Sequence, residues 1–170
     1  MKTMKKLLVI TPILALLCLA MFASLTPQAK AAPLTTPYFA YVTSNSIFGS
    51  GQVNNPGYIV GPSPDGYFAQ IYGGNSGDGG EIAGLMSTTV AGGSNNVAIY
   101  QYSTSGYYSN EIIYVATSST GPWTQIANPT ISSSTAQWYY YSSSSAYTYV
   151  AIAGYDTGNS VNIHIDCVQG

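Results

Sequence analysis

The 170-residue chain is only 6% charged, yet it is 46% hydrophobic and carries sixteen tyrosines. Ordinary globular chains are about 25% charged, and a disordered chain is high in charge and low in apolar residues, so this composition excludes disorder. The basic residues Lys2, Lys5, Lys6 and Lys30 all precede the acids Asp65, Asp78, Glu81, Glu111, Asp156 and Asp166. Nothing beyond residue 30 neutralises a phosphate, which excludes nucleic acid as a partner and disfavours anionic lipid.

In chain order, the lysine-rich start leads into an apolar run from Leu7 to Phe22 and then Ala29-Lys30-Ala31. A basic head, an apolar run and a small-x-small site form a secretory signal peptide, here a helical leader over residues 1–31. The run is broken by Pro12 and is short of the roughly 20 residues a spanning helix needs, which favours cleavage over an anchor. The expected destination is extracellular, with no membrane span after the leader. Residues 32–37 read as a short Pro/Thr linker, and residues 38–170 as one domain. Cys18 departs with the leader and leaves Cys167 alone, so no intrachain disulfide is expected.

Within the domain every apolar stretch is brief, alternating or β-branched, and bounded by Gly, Asn, Ser or Pro. Strands are expected at 39–43, 58–60, 67–72, 81–86, 96–102, 111–117, 123–126, 137–141, 147–153 and 160–168. Turns are expected at 54–56, 64–66, 73–80, 92–94, 103–106, 119–122, 142–145 and 156–158. This is the pattern of an all-β chain, an antiparallel β-sandwich of about eight to ten short strands. In the last strand Val161, Ile163, Ile165 and Cys167 share the core phase, while Asn162, His164, Asp166 and Val168 share the other. Cys167 is therefore expected to be buried. His164 is expected to titrate near its ordinary value, leaving stability nearly flat between about pH 5 and pH 8.

Three segments in order carry a resemblance. They are Val53 to Gly61 (VNNPGYIVG) followed by Pro64-Asp65-Gly66, then Ile113 to Ile126 (IYVATSSTGPWTQI), and last Tyr149 to Ala153 leading to Val161–Val168 (VNIHIDCV). Together they are similar to the galactose-binding-like, discoidin-type jelly roll, across nearly the whole domain. That resemblance implies two packed antiparallel sheets and binding of carbohydrate, lipid headgroup or protein through loops at one end. It also implies a structural Ca2+, for which Asp65 and Asp166 are the candidate ligands. The Pro-Asp-Gly sequence also favours a turn for its own reasons. Sugar-binding members commonly place Arg or His in the loops. This chain has no Arg, and its one His lies on the final strand.

Chemistry-bearing residues are sparse. His164 and Asp166 form an i,i+2 pair on one strand; a nucleophilic triad also needs a serine on the imidazole, and serines are so plentiful in this chain that finding one is no evidence. Asp78 and Glu81 are the one close acidic pair, and they sit in a glycine-rich turn. One His is too few for a usual zinc site, and the Gly73–Gly80 stretch lacks the lysine of a phosphate loop. Aromatics are in surplus. Tyr107 and Tyr108 in a turn, and Tyr139 and Tyr141 on the strand 137–141, are the candidate ligand-binding residues, since that strand must turn some rings outward. The sequence therefore reads as a secreted, non-catalytic module binding carbohydrate or a cell-surface polymer. The alternative is a structural or adhesive protein that self-associates through edge strands and tyrosines, with a hydrolase more distant.

Overall fold

The computed structural model describes residues 36–44, 51–72, 79–104, 109–155 and 161–170. The leader, most of the linker, Asp78, Tyr107, Tyr108 and Asp156 lie outside the described residues. The described chain is an antiparallel β-sandwich. One sheet runs β1 (Phe39–Ser44), β4 (Glu81–Val90), β10 (Tyr147–Tyr155), β6 (Ser109–Ala116), β7 (Thr124–Ala127), with β8 (Thr130–Ile131) also paired to β6. The other runs β2 (Gln52–Asn54), β3 (Ala69–Tyr72), β11 (Asn162–Gln169), β5 (Gly93–Ser103), β9 (Gln137–Ser143). Among the described residues no helix is long and apolar enough to cross a membrane.

Alternation builds the core. Phe39, Met86, Ile113, Val150 and Ile152 face inward from the first sheet and meet Ile71, Val97, Ile99, Ile163, Ile165 and Val168 from the second. Where the chain enters β4 beside β10, glycine permits close backbone contact. A methyl group at Gly79 would overlap the carbonyl of Gly154, and one at Gly154 would come within 2.7 Å of Val161 Cγ1. Gly154 N–H donates to the Gly80 carbonyl at 3.0 Å across this crossing. A side chain at either position would hold the strands apart.

Three expectations are corrected. Residues 58–60 do not form a strand. Asn55 takes the left-handed conformation at φ 52° and Pro56 opens a 3-10 turn over Pro56–Ile59, which plugs Ile59 into the core. Pro suits this place because its fixed φ matches a first helical turn and its missing N–H is not needed there. Short polar β2 and two-residue β8, which carry little hydrophobic pattern, pair as strands where a loop was expected. Finally, β11 is bulged. Ile165 opposes Gln101, Cys167 opposes Tyr100 and Val168 opposes Ile99, so Asp166 is an inserted residue and the phase reverses after it. Val168, not Cys167, joins the core. Cys167 is buried all the same, on the outer phase.

One end of the interior is polar. Gln101 and Ser103 of β5 face Glu111 and Ser109 of β6, all fully buried. Gln101 Nε2 donates to Glu111 Oε2 at 2.8 Å, and the Ser103 and Ser109 hydroxyls are 3.0 Å apart. Glu111 Oε1 and Gln101 Oε1 are acceptors without a protein donor. A proton on the carboxyl removes the charge that burial penalises. Burial pushes the Glu111 carboxyl up to about 8, against which the Gln101 amide works in the other direction.

The raised Glu111 pKa predicts a sloping pH profile in place of a flat one. The unfolded Glu111 ionises near 4.5, whereas the folded one holds its proton to about 8. Between those values the folded state binds the extra proton, so stability falls as pH rises, by up to about 1.4 kcal/mol per unit. Burial also lowers the His164 pKa. Its contribution has the opposite sign: it is complete above the ordinary imidazole value and lost as pH falls below it. The fully buried carboxyl is the larger effect. Thermal melting of the wild-type chain should therefore drop in midpoint from pH 5 to pH 8, and Glu111→Gln should flatten the profile and melt higher than wild type at pH 8. Equal slopes in the two proteins would show that Glu111 ionises normally.

Candidate functional site

The outer face of the five-stranded sheet gathers the aromatic residues. On β5, inward Val97, Ile99 and Gln101 alternate with outward Ala98, Tyr100 and Tyr102. Tyr100 opposes Trp138 of β9, and Ala98 opposes Tyr140. The Trp138 ring lies 5.3 Å from Tyr100 and 6.4 Å from Tyr140, the latter pair stacked at 28°. Tyr140 is 58% exposed, and Tyr100 and Trp138 are half-buried. These three rings form a partly wet aromatic platform at the β5–β9 side of the sheet.

A hydrogen-bonded network continues the band across β11 and β3. His164 opposes both Tyr102 and Gln70. The imidazole stacks on Tyr102 at 4.4 Å and 8°, and Phe68 closes edge-on against Tyr102 at 5.1 Å. Gln70 Nε2 donates to Asn162 Oδ1 at 2.6 Å and lies 3.2 Å from His164 Nε2, while Tyr72 OH donates to Gln70 Oε1. Thr104 Oγ1 is also 3.2 Å from His164 Nε2. An amide nitrogen can only donate, so His164 Nε2 is an acceptor and the ring is the neutral Nδ1–H tautomer. Desolvation lowers the His164 pKa in the same direction.

Asp65 and Asp166 form a different structure. Asp166 Oδ1 accepts from Asp65 N–H at 3.0 Å and Oδ2 accepts from Gly66 N–H at 2.8 Å, while Asp65 Oδ1 accepts from Tyr67 N–H at 2.9 Å. Burial raises the Asp166 pKa, the two backbone N–H bonds oppose this, and the neighbouring Asp65 carboxyl adds to it. Burial likewise pushes the adjacent Cys167 thiol up to about 12, with Asp166 and Asp65 adding. Calcium wants six to eight oxygens. Here N–H donors take both Asp166 oxygens, and among the described residues no group of three His, Cys, Asp or Glu side chains forms. In this arrangement the two carboxylates anchor the 61–67 loop to the bulge of β11.

Of the four tyrosines expected to bind ligand, Tyr107 and Tyr108 lie outside the described residues. Tyr139 and Tyr141 take the opposite phase from that expected. They oppose Ile99 and Val97 on the core side, and Tyr141 packs against the core with its hydroxyl buried beside Gln101. Sequence reasoning missed Trp138, Tyr140, Tyr100 and Tyr102. The available signal was the parity of β5: with Val97 and Ile99 inward, Tyr100 and Tyr102 must point out. His164 and Asp166 do not meet a serine nucleophile, since the imidazole is held by Gln70 and Thr104 and the carboxylate by backbone. A separate cavity of about 600 Å³, bordered by Gly92, Ser94, Thr124, Ser142 and Ser144, has neither an aromatic ring nor a titratable group in its lining.

No family model and no curated protein matches the chain. Among solved structures it is similar to the CBM32 of AlyQ in complex with 4,5-unsaturated mannuronic acid, at 15% identity and a TM-score of 0.49, covering 76% of this chain and 96% of that one. It is also similar to truncated AlyQ with CBM32 and alginate lyase domains, at 15% identity and a TM-score of 0.48, covering 79% of this chain and 33% of that one. The chain thus spans about a third of the second protein. At these values the likeness says nothing about ligand or site.

The Asp166 anchor is testable. Asp166→Ala leaves two loop N–H groups without their acceptor and should cost about 2 kcal/mol in thermal or urea unfolding. A chelator should leave the wild-type midpoint unchanged. A chelator-dependent fall would reinstate calcium at Asp65 and Asp166.

Proposed function

We propose that the domain is an exported, non-catalytic carbohydrate-binding module whose binding surface is the Tyr100–Trp138–Tyr140 platform. The observation that carries this reading is an aromatic platform left partly open on a sheet face. Aromatic rings offer a large apolar face, and tyrosine adds a hydroxyl at its rim. That combination suits a sugar ring, which has an apolar face and a polar rim. The Gln70–Asn162–His164 network beside it fixes polar groups before any ligand arrives, which lowers the ordering cost of binding. The leader over residues 1–31 supports export.

A second reading is favoured by the edge. Among the described residues strand β9 pairs only with β5, and its sequence QWYYYSS has neither charge nor proline. Proteins usually blunt such edges with lysine, proline or bulges. Self-association through β9 would show as a concentration-dependent mass that Gln137→Lys abolishes.

The test of the binding reading is retention on insoluble polysaccharides. Trp138→Ala and Tyr140→Ala should each cut retention at least tenfold with little change in melting. Tyr41, 52% exposed on the other sheet, is the control. Loss of retention in Tyr41→Ala equal to that in Tyr140→Ala would remove the platform from consideration.

A further inference from the structure

The platform's electrostatics define the class of sugar it accepts. From residue 31 onward the chain has six carboxylates and neither Lys nor Arg. His164, the one base on the face, is held neutral by geometry: its Nε2 accepts from the Gln70 amide, so a proton there would confront an N–H donor at 3.2 Å. The remaining polar groups of the band are uncharged: Tyr72 and Thr104 hydroxyls and the Gln70 and Asn162 amides. Gln70 is already committed on both its nitrogen and its oxygen. A carboxylate brought onto this surface would lose water and find no cation in return. Desolvating an ion without a charged partner is far costlier than desolvating a hydroxyl, and the strong carboxylate contacts are those made by charged donors.

We infer that the platform selects uncharged polysaccharides and excludes their uronate counterparts. This inference rests on the binding reading above. A neutral sugar brings hydroxyls that both donate and accept, so tyrosine rims and amides satisfy them without a net charge. A uronate chain meets an acidic domain with no compensating site. That repulsion acts within about 8–10 Å at physiological salt, so it is felt on the face and not at a distance.

The experiment uses the full chain and matched polymers: cellulose against carboxylated cellulose, mannan against polymannuronate, and methyl-esterified against de-esterified polygalacturonate. Each pair keeps the ring and changes the charge. At 150 mM NaCl every neutral polymer that retains the protein should do so at least tenfold more tightly than its acidic counterpart. Trp138→Ala should abolish the neutral retention. Equal or tighter retention on the acidic member of a pair overturns the selectivity and leaves the binding reading standing. Retention on none of the six polymers overturns both. Acidic retention that disappears with chelator shows a bridging cation and overturns the inference as stated.

Discussion

A domain without a cationic side chain must satisfy its carboxylates by other means, and the rest of this structure depends on that constraint. Each described solution is different. Asp166 takes two backbone N–H groups and so fastens a loop to a strand. Asp65 takes the N–H of Tyr67, two residues on, and closes a turn. Glu111, with no peptide group to hand inside the sandwich, takes an amide and keeps its proton. Without guanidinium or ammonium groups these three carboxylates bind backbone and amide, and they become fasteners of the fold rather than members of surface ion pairs.

The polar end of the core also borders the inward face of β9. Tyr141 turns inward opposite Val97, with its hydroxyl buried beside Gln101 and Glu111. Trp138 and Tyr140 then fall on the outer phase by alternation. The aromatic platform thus follows from the phase that β9 takes against β5. The network on β3 and β11 follows the same economy of charge: a neutral imidazole wedged between an amide donor, a threonine hydroxyl and a tyrosine ring.

The sandwich was largely legible because β-branched and aromatic residues alternate between clear turn signals, as in β5 and in β11 up to Ile165. What escaped reading was mostly local geometry that leaves hydrophobic pattern untouched. The bulge at Asp166 reverses phase in a run, VNIHIDCV, whose alternation continues straight through it. The Asn55-Pro56 pair held a usable signal, since asparagine tolerates the left-handed region and proline opens a helical turn. Residues 58–60 nonetheless look like a strand by composition. The parity of β9 was not legible from YYY alone, because tyrosine serves either face of a sheet. The loop carboxylates entered as metal ligands through the resemblance alone; their backbone partners were not legible, because a sequence shows which side chains are acidic and not which N–H groups point at them.

The bulge leaves Cys167, the one cysteine among the described residues, in an unusual position for a free thiol. It is shielded, outside the hydrophobic core, and next to the carboxylate that fastens the 61–67 loop. Reagents for sulfur reach it only when that corner of the sandwich parts from β11. The ratio of its labelling rate to that of an unstructured thiol is then an opening constant, and its logarithm a local free energy. The molecule thus carries a built-in gauge of how firmly one loop is seated, readable without any introduced label site and separable from global unfolding by its dependence on denaturant.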